Sequence, residues 1–230
     1  MLNLIKLELK KNNIRTYLFS AAVITVVMLG FLYLFAAIPY MEPNAEEASS
    51  LSSYSEIMGI TALLNMVSFC VLSAVMYSRF VIEEYRGKYA IMLFSYPISR
   101  RSVFLSKLML VSIFTIVGLI VSNCIIFAIF LATEAIFPLM KDTFTLALMT
   151  HLFVMTISMS VLAVGLGIIS MAIGFARKSV PTAIVASVIF CSLISNVGTS
   201  KIIIIAALLS VAIGAVVTSS LLEKIKHMEV

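Results

Sequence analysis

Six long apolar runs, none of which holds an Asp, Glu, Lys or Arg, constrain this chain more than any other feature. They cover about residues 17–38, 57–77, 108–132, 144–175, 180–196 and 202–222. A bilayer-spanning helix needs roughly 20 consecutive apolar residues, so runs of this kind read as membrane spans. Composition agrees. The 230 residues are 62% hydrophobic and 12% charged, with mean hydropathy +1.14; a soluble domain has about 45–50% apolar and about 25% charged residues. That gap excludes a soluble globule, a disordered tail and a disulfide scaffold. The expected fold is all-α: one transmembrane domain over residues 1–230 with six spans, the fifth short. A secretory signal is the rival for the first run, given Lys6, Lys10, Lys11 and Arg15 before it, but its apolar stretch is longer than the roughly 7–15 residues of a signal core.

Charge placement sets the expected topology. With the N-terminus inside, every Lys and Arg except Lys141 and Lys201 falls in a cytoplasmic segment, which is the bias that orients multi-span proteins. The first outer loop carries Glu42, Glu46, Glu47 and Glu56 and no base. Both termini are therefore expected in the cytoplasm. The excess of 16 basic over 11 acidic residues then reflects topology, and no nucleic-acid partner is expected. Cys70, Cys124 and Cys191 each lie within an apolar run, with no Cys/His cluster, and read as buried, inert thiols.

Catalytic and phosphate-binding patterns are not written in the chain. It has no HExxH, no GxSxG and no GxxxxGK[ST]. Gly87-Lys88 lacks both the upstream Gly and the following Ser or Thr. No cofactor is expected here. His151 is the one imidazole within a span, without a visible carboxylate partner, and is expected to hydrogen-bond a neighbouring helix. Asn65, Ser68, Asn123, His151 and Ser158 are the polar residues that could line a translocation path; the plainer role for the neutral ones is interhelical hydrogen bonding. Small residues spaced four apart (Ala206, Ser210, Gly214 and Thr218 in the last run; Ala163 and Gly167, then Ser170 and Gly174, in the fourth) allow close helix approach, by default within the chain.

The informative segment is the loop from Arg79 to Lys107. Glu84 and Lys88 stand i,i+4 in the favourable helical order. Ile91, Met92 and Phe94 make an apolar cluster that Pro97 ends, and Ser99 can cap a helix opening with Arg100 and Arg101. The pattern reads as a short amphipathic helix, suited either to lipid headgroups or to a groove on a partner.

The run Glu83-Glu84, Gly87-Lys88, Leu93-Phe94-Ser95-Tyr96-Pro97-Ile98-Ser99-Arg100 resembles the coupling-helix loop of bacterial type-2 ABC exporter permeases, between the second and third of six spans. Met1–Arg15, with Leu2, Leu4, Ile5, Leu7 and Leu9 among charges, resembles the interfacial elbow helix of that family. Tyr89 stands where Thr is common, and about 197–201 is a short outer loop by family standards. In size and style the chain is most similar to permeases exporting lantibiotics, bacteriocins or phenol-soluble modulins. The resemblance implies a permease subunit in a bacterial plasma membrane, paired with a second copy or paralogue. It also implies a separate cytoplasmic ABC ATPase that holds the ATP and magnesium. It assigns the ATPase-coupling surface to Glu83, Glu84, Lys88, Ile91, Leu93, Phe94, Pro97 and Arg100. Uncharged spans favour an amphipathic or apolar cargo over a hydrated ion, which would need desolvating ligands. Two other classes fit the residues: an ion- or proton-coupled carrier using His151 and Glu134, and a non-transporting toxin-immunity subunit.

Overall fold

A computed structural model describes residues 13–41, 53–83, 100–136, 145–195 and 200–226. The expected elbow up to residue 12, and Glu84, Lys88, Ile91, Leu93, Phe94 and Pro97 of the expected coupling surface, lie outside the described residues.

The described chain is all-helical. Helix α1 is Ile14–Met41, α2 Tyr54–Tyr77, α3 Arg100–Glu134, α4 Leu146–Ala176, α5 Val180–Ser195 and α6 Ser200–Lys226. Each of the six apolar runs lies almost wholly within one helix. Five helices are long and apolar enough to cross a membrane; α5, with 16 residues, is shorter than a full span. α3 is the longest at 35 residues and starts eight residues before its apolar run, at Arg100. The helix ends follow local chemistry. Ser53 and Thr145 precede α2 and α4 in extended conformation, and Glu56 sits in the first turn of α2, where the positive end of the helix dipole favours it.

The α4–α5 turn carries a pair of backbone hydrogen bonds. Ser179 N–H donates to Gly174 O at 3.0 Å and Lys178 N–H to Phe175 O at 3.1 Å, the paired bonds of a Schellman cap. The residue between them must be left-handed, and it is Lys178, with φ 49°. A left-handed L-residue costs about 1–2 kcal/mol. Lys178→Gly is therefore expected to stabilise the protein by about 1 kcal/mol, read as a higher Tm in detergent; an unchanged or lower Tm contradicts the strain.

α4 is the hub, packing on α2, α3, α5 and α6. In their most apolar windows α2 and α4 are 56% buried, whereas α1 and α6 are 22% buried and present apolar side chains outward. On α3, Met109, Ile113, Val117, Val121, Ile125 and Ile129 form one exposed apolar stripe, as expected of a face turned to lipid tails. Three buried clusters fill the interior along its length. One, at the end where α2 leaves and α3 enters, gathers Tyr77, Phe80, Phe104 and Phe175. A central one holds Phe69, Cys70, Leu119 and Leu162. The third, at the far end, holds Leu32, Ile57, Met58 and Phe130.

Candidate functional site

The end of α2 is not α-helical. After Tyr77 the chain makes a π turn over Ser78–Ile82, closed by Glu83 N–H donating to Ser78 O at 3.0 Å. Such wide turns inside helices recur at functional sites. The extra residue sorts the side chains sharply. Phe80, Val81 and Ile82 are buried, while Arg79 and Glu83 are exposed. Ile82 is wedged at the α4–α5 turn: a methyl on Gly174 would meet Ile82 Cδ1 at 2.8 Å and Ala183 Cβ at 2.5 Å. Only glycine allows α4, α5 and the π turn to converge. Tyr77 anchors the turn from above, its buried hydroxyl bonded to Ser112 Oγ at 2.8 Å, and Phe104 of α3 meets Phe175 edge-on at 6.4 Å.

Through these contacts Glu83, the last described residue before the 84–99 segment, leads directly into a packed junction of four helices. Arg100 opens α3 on the other side of that segment. Lys107, which the charge pattern assigns to a cytoplasmic segment, is 1% exposed. Its enclosure was not legible in the sequence, where it is one more base at the foot of a span.

A second polar feature lies deep in the bundle. Asn65 of α2 donates through Nδ2 to Asn123 Oδ1 of α3 at 2.6 Å and to Ser122 Oγ at 3.0 Å. Thr25 of α1 reaches Ser122 Oγ at 2.9 Å, and Asn123 Nδ2 approaches Thr156 Oγ1 of α4 at 3.4 Å. Asn65 and Asn123 are fully buried. The network ties four helices together where no water can compete. Thr25, Ser122 and Thr156 were missed from sequence; the Ser122-Asn123 pair in mid-span was the available signal.

The other polar candidates are elsewhere. Ser68 donates to Leu64 O within its own helix, and Ser158 to Val154 O. His151 and Ser158 border a cleft of about 60 Å3 between α4 and α6, with Ile203 and Ile204 opposite. His151 is exposed there, and the described contacts include no hydrogen bond from it to a neighbouring helix. Cys70 of α2 and Cys191 of α5 are buried free thiols within one apolar cluster. Cys124 departs from the expectation of burial: it is exposed, on an apolar groove between α3 and α4.

Removing the Asn65 amide leaves Asn123 without its shortest bond. Interhelical bonds in membranes contribute about 0.6 kcal/mol on average and up to about 1.7, and an orphaned buried partner adds to that. Asn65→Ala is expected to cost about 2 kcal/mol, seen as a lower Tm. The double variant Asn65→Leu/Asn123→Leu is expected to lose less than the two single leucine variants combined, because no polar partner is stranded. Strict additivity would contradict the network.

Comparison with known proteins places the chain. A family model described as "ABC-2 family transporter protein" matches residues 4–193. The chain is 30% identical over 198 residues to a Bacillus subtilis (strain 168) protein called "Uncharacterized protein YcbO", covering 85% of this chain and 84% of that one. No solved structure matches it. A multi-pass helical bundle and a family match over most of its length leave one assignment: this chain belongs to the ABC-2 transporter family, as its membrane permease component and not its ATPase subunit.

Proposed function

We propose that the chain is the permease subunit of an ATP-driven exporter that moves an amphipathic peptide, a toxin or another hydrophobic cargo out of the cell. ABC-2 permeases pair with ABC ATPase subunits, and here the ATPase docks on the segment between α2 and α3. Glu84 supplies the charged docking contact, Lys88 pairs with it along the helix, and Ile91, Leu93 and Phe94 are the apolar anchors. Pro97 ends that helix and Arg100 starts the next. All six helices enter the membrane, with both termini in the cytoplasm and residues up to Arg15 forming an elbow at its surface.

The observation that carries this reading is the π turn. A stroke delivered to Glu83 and the segment beyond it reaches Ile82, and Ile82 has no slack against Gly174 and Ala183. The α4–α5 hairpin therefore moves with the docking segment, a mechanical link that a passive span would not need.

The filled interior supports a dimer. Three buried clusters and the Asn65–Asn123 network occupy the inside of one chain, so a cargo-sized passage forms between two subunits. His151 and Ser158, exposed or partly exposed on α4, are placed to border such a passage, whereas Asn65 and Asn123 hold helices together and Ser68 bonds within its own helix. The absence of Asp, Glu, Lys and Arg from the apolar runs suits an apolar or amphipathic cargo.

Gentle-detergent extraction of the tagged chain from its native membrane tests the reading. A stoichiometric nucleotide-hydrolysing partner is expected to co-purify. Recovery of the chain alone, even after crosslinking in the membrane, would overturn it in favour of a carrier or an immunity protein.

A further inference from the structure

At the same end of the bundle, a cleft of about 590 Å3 opens between the first turns of α1 and the last turns of α2. Arg79 stands on its α2 side, and Asn13, Thr16 and Tyr17 on its α1 side. Leu72, Val75 and Phe80 supply apolar wall. The Tyr17 ring is held edge-on against Phe80, with centroids 5.4 Å apart, which fixes its phenol at the mouth. The Ser20 hydroxyl is already donated to Thr16 O at 3.0 Å, leaving the guanidinium, the phenol, the Thr16 hydroxyl and the Asn13 amide as donors.

This combination selects its ligand. Arg79 forms no ion pair with a described carboxylate; Glu83, just after the π turn, is exposed and acts on Tyr17 through space. A guanidinium at the edge of hydrocarbon calls for an oxyanion, and its planar fork matches phosphate. The apolar wall of Leu72, Val75 and Phe80 calls for a chain attached to that anion. A cationic peptide is disfavoured by Arg79 and by the neighbouring exposed Arg15. We propose that the cleft is a binding site for an anionic glycerophospholipid, with its phosphate on Arg79 and Tyr17 and one acyl chain along Leu72, Val75 and Phe80. The site requires that the chain spans a bilayer, but it is independent of what the permease exports.

Native mass spectrometry of the whole protein in detergent tests it, using short-chain phosphatidylglycerol, short-chain phosphatidylcholine and inorganic phosphate as separate probes. Wild type is expected to retain phosphatidylglycerol about tenfold better than phosphatidylcholine. Arg79→Gln is expected to abolish that preference, Arg79→Lys to keep part of it, and Tyr17→Phe to lower it about threefold. Arg177→Gln, on the exposed α4–α5 turn, is expected to leave it unchanged. Should Arg79→Gln fail to fold, Tyr17→Phe alone decides. The proposal is overturned if wild type shows no preference, if the Arg79 and Tyr17 variants keep it in full, or if inorganic phosphate displaces the lipid at equal concentration, since the apolar wall would then contribute nothing.

Discussion

Gly165→Ala is expected to be the most damaging single-methyl change in the molecule. Gly165 of α4 faces Ser210 of α6. A methyl there would overlap Ser210 Oγ and lie 2.7 Å from Ser210 Cβ and 2.9 Å from the Ser210 carbonyl carbon. A side-chain hydroxyl can rotate away, but a backbone carbon moves only if α6 moves. Overpacking of this kind costs about 1–3 kcal/mol, and here the upper end applies because two rigid helices must separate. A drop in detergent Tm of several degrees checks it. Ser210→Gly in the same chain is expected to restore part of the loss, since it removes Oγ and Cβ but leaves the backbone carbon. Gly30→Ala is the contrast: nothing lies within 4 Å of that position, and better helix propensity favours the substitution by up to about 1 kcal/mol. A Gly165→Ala protein as stable as wild type would mean that α4 and α6 are not in backbone contact.

The second large effect concerns ATPase docking. Glu84→Ala and Phe94→Ala are expected to cut the co-purified ATPase activity at least tenfold, because a buried aromatic anchor and a charged docking contact dominate small helix-in-groove interfaces. Their Tm is expected to stay at the wild-type value. Gly174→Ala separates docking from transmission. It leaves Glu84 and Phe94 untouched but drives a methyl into Ile82 and Ala183, so the ATPase is expected to remain bound while transport falls. Ala183→Gly in that background is expected to recover transport in part. If Glu84→Ala and Phe94→Ala retain the ATPase, the docking surface lies elsewhere. If Gly174→Ala transports normally, the π turn does not carry the stroke.

What was legible in the sequence was what is local. A span is a property of one contiguous run, because a helix in lipid satisfies its own backbone and needs only enough apolar residues in a row. All six helices could therefore be read from run length, and the shortness of α5 was visible too. The small residues of the last run were rightly assigned to packing within the chain, as Ser210 against Gly165 demonstrates. Gly165 itself was passed over, since it belongs to neither of the four-residue stripes seen in the fourth run.

Tertiary structure decided everything that depends on two helices meeting. Asn65 and Asn123 are each one amide in an apolar run; that they bond to each other, through Ser122 to Thr25 and onward to Thr156, follows from how the helices rotate and cross. The π turn that buries Ile82 and frees Glu83 could not be read, because a single inserted residue in a hydrophobic run changes no composition and hardly any periodicity. Lys107 and Cys124 were assigned by the company they keep in sequence, and the bundle placed them the other way round, enclosing the base and exposing the thiol. The sequence alone determined that the chain must enter the membrane as a set of helices, since hydrophobicity acts run by run. Which faces touch, which polar atoms find partners and where the Arg79 guanidinium meets an apolar wall are set by packing, which is a property of pairs of helices and is written in no single one of them.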